Sequence, residues 1–268
     1  MDHAQNFAMG RWLLVLAYLT SVVGCALGLA CTLQARYAET ERSRLAWLGL
    51  ASVSIGGVGI WVMHFIAMLG FSTPGMPVRF DVSRTFLSAI LAIVAVFLGL
   101  LVAGIRGSGF TWWRLLVGGL IMGFAVNLMH YTGMWALQIK GTIGYNGGLV
   151  ALSVVIAVVA ATAALWFAVV LDRLLPRLLA GLVMAVAVTG MHYTGMAAMR
   201  TTMDMNAPDP SGVEVFSFLF PVFVLAALAM AVPICAVLMA PALSDRKPRE
   251  SPPEEPVSQD DEPVAYSR

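Results

Sequence analysis

Seven predominantly apolar stretches, each close to or above the ~20 residues an α-helix needs to cross a ~30 Å hydrocarbon core, constrain what this chain can fold into. They fall near 12–33, 45–70, 86–105, 113–138, 148–171, 178–200 and 215–240, separated by breaks such as Ser72-Thr73-Pro74-Gly75 and Lys140 to Gly147. With 59% hydrophobic and 12% charged residues among 268, the composition fits no water-soluble globule. The pattern predicts an all-α fold, an integral membrane seven-helix bundle over 12–240, with a short external segment 1–11 before it. The remainder, 241–268, is rich in proline and acidic residues and is expected to form a disordered cytoplasmic tail.

Counting Lys and Arg on alternate sides of the spans gives eleven on one face and five on the other. The positive-inside rule then puts the N-terminus outside and the C-terminus in the cytoplasm. Val22-Val23-Gly24-Cys25 has the look of a lipid-attachment box. Cleavage there would invert every later span and strand the Arg-rich loops on the wrong side. The net charge of +1 supplies no basic field for nucleic acid. Cys25, Cys31 and Cys235 lack CxxC spacing and lie in apolar runs, so they read as packing residues.

An internal repeat carries the chemistry. Gly119–Met134 (GLIMGFAVNLMHYTGM) and Gly181–Met196 (GLVMAVAVTGMHYTGM) are identical at eleven of sixteen positions. A weaker copy, Trp61-Val62-Met63-His64-Phe65-Ile66-Ala67-Met68, keeps the Met-His pair and the later Met. The unit is a helical hairpin of about 60 residues, so the copies sit on the second, fourth and sixth spans and run in the same direction. At ~1.5 Å rise per residue, His64, His130 and His192 lie roughly 21–29 Å from the cytoplasmic helix ends, all near one level in the outer third of the bilayer.

Each of these histidines has a methionine four residues on, about 40° around the helix, so His64/Met68, His130/Met134 and His192/Met196 share faces. Met63, Met129 and Met191 flank them at about 100°. Three imidazoles and several thioethers, with no carboxylate, form a borderline-to-soft ligand set suited to copper, especially Cu(I). Tyr131, Thr132, Tyr193, Thr194 and Asn127 are placed to orient the rings through their second nitrogens. A lone intramembrane histidine is often only a link between helices, and methionine a common gap filler. Three copies at one depth favour a function, because ionisable groups are costly in a membrane.

Met129-His130-Tyr131-Thr132 and Met191-His192-Tyr193-Thr194 spell the motif of the bacterial MHYT domain, and Met63-His64-Phe65-Ile66 resembles a degenerate copy. The resemblance covers roughly Arg11 to Met239. It implies an inner-membrane sensor module, proposed for that family to bind copper near the outer face and through it perceive oxygen, carbon monoxide or nitric oxide. Members of that family commonly continue into a cyclic-di-GMP enzyme, a histidine kinase or a DNA-binding output, whereas 28 residues follow Ala240 here. The expectation is therefore a signalling module with no catalysis of its own, embedded in the lipid bilayer and read by a separate cytoplasmic output protein.

Two other functions compete. A copper carrier or transporter would need a route inward, and no His/Met ladder or intramembrane carboxylate continues to the cytoplasmic half. A bis-histidine haem subunit for electron transfer would use two of three histidines and leave one over. No Ser-His-Asp, paired-carboxylate or phosphate-loop pattern is present in the sequence.

Overall fold

In lipid, a backbone must satisfy its own N–H and C=O groups, and the apolar runs do so as helices. A computed structural model describes residues 11–72, 77–105, 111–204 and 206–240. Its helices are α1 (Trp12–Arg36), α2 (Glu41–Ser52), α3 (Met63–Met68), α4 (Val82–Ala103), α5 (Trp112–Ala136), α6 (Gly147–Val170), α7 (Leu174–Ala198) and α8 (Val215–Met239). A π-helical segment, Val53–Val62, joins α2 to α3, so Glu41–Met68 is one continuous span, and among the described residues seven helices are long and apolar enough to cross a membrane. The expected external segment, apart from Arg11, and the expected tail lie outside the described residues.

The starts of α2, α4 and α6 are capped by side chains: Thr40 accepts from the Ser43 N–H, Asp81 from Arg84, and Asn146 from Gly148 and Leu149. The sixth span begins earlier than position 178 because Pro176 falls in the first turn of α7, where its missing N–H costs nothing.

Within the most apolar window of each span, 39, 61, 33, 56, 28, 44 and 11% of residues are buried, from first to seventh. The alternation sorts the helices: the second, fourth and sixth spans, which carry the repeat, form an inner triangle. α1 packs on the second span and on α7, α4 lies between the second span and α5, and α6 lies between α5 and α7. Six spans thus close a ring, and α8 lies outside it with Pro221 and Pro233 within its length. Where α1 crosses the π segment, a Cβ on Gly24 would stand 2.4 Å from the Gly59 nitrogen, so the backbones themselves are in contact. Such an approach admits glycine alone.

The outward faces are those of a membrane protein. Ile90, Val159 and Val186 are about 60% exposed, and the exposed tryptophans gather toward the ends: Trp112, Trp113 and Trp166 at one, Trp12 and Trp135 at the other. Trp112 and Trp135 are separated by ~35 Å along α5 at ~1.5 Å per residue, which matches aromatic belts on a ~30 Å core.

Segments read from the sequence as plain breaks, or as the last residues of the fourth and sixth spans, contain short strands, so those two helices end at Ala136 and Ala198. These are β1 (Arg79–Phe80), β2 (Leu137–Gln138), β3 (Gly141–Tyr145), β4 (Met199–Met203) and β5 (Val213–Glu214). β1 pairs antiparallel with both β2 and β5, and β3 with β4. All five follow inner spans, so they cap one end of the bundle beside the repeat motifs. Strands this short carry no readable alternation, and their partners lie 54 to 135 residues away, from Tyr145 with Met199 to Arg79 with Glu214, so only the assembled bundle makes them. At the opposite end arginines meet helix C-termini: Arg114 donates to the Val102 carbonyl, and Arg177 to the carbonyls of Leu171 and Asp172. Arg36 pairs with Asp172 at 2.9 Å.

Candidate metal centre

The inner triangle brings His64 of α3, His130 of α5 and His192 of α7 into one cluster. Their ring centroids lie 4.9–5.2 Å apart with the planes close to perpendicular, and each residue is at most 1% exposed. Nδ1 of His64 stands 3.0 Å from Nδ1 of His192 and 3.2 Å from Nδ1 of His130. The three histidines therefore share one level and one pocket, and among the described residues they are the group of His, Cys, Asp and Glu side chains able to hold an ion.

Neutral imidazole has one N–H and one lone pair. The Nε2 atoms of all three rings are buried without a hydrogen-bond partner, so the rings can bond only to each other through Nδ1. A proton on Nε2 is then an unpaired buried donor, and a proton on Nδ1 needs a neighbouring bare Nδ1. No assignment of tautomers satisfies three rings at once. Leaving a buried donor or acceptor unpaired costs about 1–3 kcal/mol each.

What seats the rings is glycine. A Cβ on Gly133 would lie 2.6 Å from Nε2 of His64, and one on Gly195 would lie 2.2 Å from Nε2 of His130. Both glycines stand three residues after the histidine of their own copy, so each ring abuts the backbone of the next inner helix. Ala67 holds that position in the first copy. These two glycines belong to the site, and the signal for them was their place in the repeat.

The six methionines, Met63, Met68, Met129, Met134, Met191 and Met196, are all buried and belong to the same core as one another. The polar residues expected behind the rings are placed otherwise. Asn127 donates to Ser153 Oγ at 3.1 Å, and the Tyr131 hydroxyl lies 3.1 Å from the same oxygen. Ser153 gives its own proton to the Val150 carbonyl, so Tyr131 is the donor of that bond. Thr194 donates to the Gly190 carbonyl of its own helix, and Thr132 is buried. Tyr131 and Tyr193 touch the site through their rings, edge-on to His130 and His192 at 5.0 and 4.9 Å. The second nitrogens of His64 and His130 face the backbone of Gly133 and Gly195, where the helices approach too closely for a side chain to intervene. Ser153, a hydroxyl in the apolar run of α6, is the partner that sequence reasoning missed.

Outside the spans, burial and the neighbouring Tyr131 raise the Tyr145 phenol above its ordinary value of 10.0. Their rings meet edge-on at 5.3 Å, linking β3 to α5 just above the histidines.

A family model described as a bacterial signalling protein N terminal repeat, MHYT, matches residues 57–118 and 123–181. The matched segments contain the His64 and His130 copies, and the His192 copy follows directly. The bifunctional diguanylate cyclase/cyclic di-GMP phosphodiesterase MucR of Pseudomonas aeruginosa is 43% identical over 164 residues, 59% of this chain and 23% of that protein. The cyclic di-GMP phosphodiesterase NbdA of the same organism is 33% identical over 211 residues, 76% of this chain and 26% of that protein. The signaling protein YkoW of Bacillus subtilis is 31% identical over 226 residues, 77% of this chain and 27% of that protein. The chain thus spans about a quarter of the length of these curated relatives. No solved structure matches it. Two matched repeats on the inner spans, together with relatives that are signalling proteins, show that this multi-pass membrane chain belongs to the MHYT family.

Proposed function

We propose that the chain is the receiving part of a signalling system and holds one copper ion, as Cu(I), at Nδ1 of His64, His130 and His192. The observation that carries this reading is the convergence of three Nδ1 atoms at 3.0 and 3.2 Å around His64 in a pocket that gives them no other partner. Nitrogens bound to one ion at ~2.0 Å are separated by about 3.3–3.5 Å in tetrahedral or trigonal geometry, so the donor set fits with small adjustment. A cation accepting three lone pairs would satisfy all three Nδ1 atoms at once, which no set of ring-to-ring hydrogen bonds can do, and would leave each proton on Nε2.

Charge selects among metals. No carboxylate joins the cluster among the described residues. The cost of burying an ion grows with the square of its charge, so a monovalent ion is far cheaper here than Zn²⁺ or Mg²⁺. Thioethers from Met68, Met134 and Met196 on the shared faces, with Met63, Met129 and Met191 beside them, would complete a soft set. Tyr131, Thr132, Tyr193, Thr194 and Asn127 would shape the walls, Tyr131 held in place by Ser153 and Asn127. Bound copper would supply an open-shell-capable, gas-binding centre for oxygen, carbon monoxide or nitric oxide, or would itself be the signal. The rings meet too closely to admit a macrocycle between any two of them, which argues against the haem alternative.

In this reading the strand-capped end faces outward across a bacterial inner membrane, with the arginine-rich loops in the cytoplasm. The relatives' names support a cyclic-di-GMP enzyme as the class of output, here a separate cytoplasmic partner. Purified protein loaded anaerobically with Cu(I) and passed over a desalting column tests the centre. About one copper per chain is expected, and near zero in the His64→Ala, His130→Ala, His192→Ala triple variant. Equal copper in both proteins would refute it.

A further inference from the structure

A second cavity lies directly beneath the histidines, toward the opposite end of the bundle. It has a volume of about 30 Å³, and every residue lining it is Ile, Val, Met or Ala. Ile60, Val126 and Val188 line it, and each stands four residues before the histidine of its copy, so the three form its ceiling one turn below the rings. Met191, next to His192, also lines it, and the alanine face of α6 through Ala157 and Ala161 closes one side.

The size and the chemistry of this space select an occupant. One water needs ~10–15 Å³ measured this way, together with two to four polar partners. The volume accommodates about two such spheres side by side, but no lining side chain offers a hydrogen bond. Water is therefore excluded and a small apolar molecule is not. Polar solutes are excluded for the same reason. Apolar gases concentrate in lipid, and the cavity lies within the membrane-spanning part, so its ligand need not come from water.

We propose that this cavity is a docking site for one molecule of the size and polarity of a diatomic gas, held against the underside of the histidine cluster. Its part in sensing rests on the metal-centre reading above, whereas its occupancy does not. Xenon is the probe, because it reports an apolar cavity without any metal. Metal-free protein in detergent is titrated with xenon and followed by ¹²⁹Xe NMR against protein-free micelles at equal detergent. A saturable shift beyond that of the micelles is expected. Ala161→Leu and Ala157→Leu fill the space and should abolish it, whereas Val159→Leu, on the lipid side of the same helix and 63% exposed, should leave it intact. Met184→Ala, which widens the cavity, should enlarge it, and this holds even if a filled variant fails to fold. A wild-type shift no larger than that of the micelles, or one that the filling and the lipid-side substitutions change equally, overturns the proposal. Loss of the shift with copper binding intact sinks the cavity alone; failed copper binding with the shift intact sinks the metal centre alone.

Discussion

Gly195→Ala is the most economical test of how the histidine rings are held. The added Cβ would lie 2.2 Å from Nε2 and 2.8 Å from Cδ2 of His130, and ordinary contact begins near 3.4 Å, so the ring must retreat by about 1.2 Å. It has little room to do so. Its other side faces His64 at 3.2 Å between Nδ1 atoms, and Tyr131, tied to Ser153, packs edge-on against it. Overpacking of this kind costs about 1–3 kcal/mol, set against the ~1 kcal/mol that alanine gains over glycine within a helix. A nitrogen moved by that distance leaves the ligand set, and copper affinity should fall by at least the 10–100-fold typical of disturbed metal surroundings. Gly190→Ala is the matched control: it lies on the same helix, immediately before Met191 of the motif, and a Cβ there meets nothing within 4 Å. Thermal unfolding in detergent and competition with a Cu(I) chelator read the two effects. Gly190→Ala should match or exceed wild type in both, and Gly195→Ala should fall below it in both. If the two variants behave alike, the glycine slot does not position His130.

Other outcomes follow from neighbouring contacts. Ser153→Ala removes the acceptor of both Asn127 and Tyr131 and should cost about 1–3 kcal/mol, more than Tyr131→Phe, which strands no buried group; denaturant unfolding of the two separates them. Gly24→Val should be among the most damaging single changes on α1, because the obstacle 2.4 Å away is the backbone of Gly59 and cannot rotate aside, and yield of folded monodisperse protein in detergent reads this. Asp81→Ala and Asn146→Ala should each lower stability by about 1 kcal/mol through loss of a helix cap without changing copper stoichiometry. For Tyr145 the folded state prefers the neutral phenol, so its stabilising contribution is present below pH 10 and is lost as the pH rises through its higher folded value. Absorbance titration of the six tyrosines should lose one late alkaline component in Tyr145→Phe.

The seven spans, the repeat and the three histidines at a common depth were legible in the amino-acid sequence, because helix length in lipid and the periodicity of an α-helix are local properties. Parallel copies on alternate spans also implied that the histidine faces could meet. What local pattern could not decide was which neighbour each polar group would choose. Asn127 and Tyr131 turn to Ser153 on α6 rather than to an imidazole, since the ring edges are already pressed against Gly133 and Gly195. The π turn at Val53–Val62, the strands gathered over the inner helices and the apolar space under the rings likewise arise only when the helices pack. Sequence sets the period and chemistry of each helix face, but the distances between faces are set by how closely backbones approach, and that is a property of the assembled bundle.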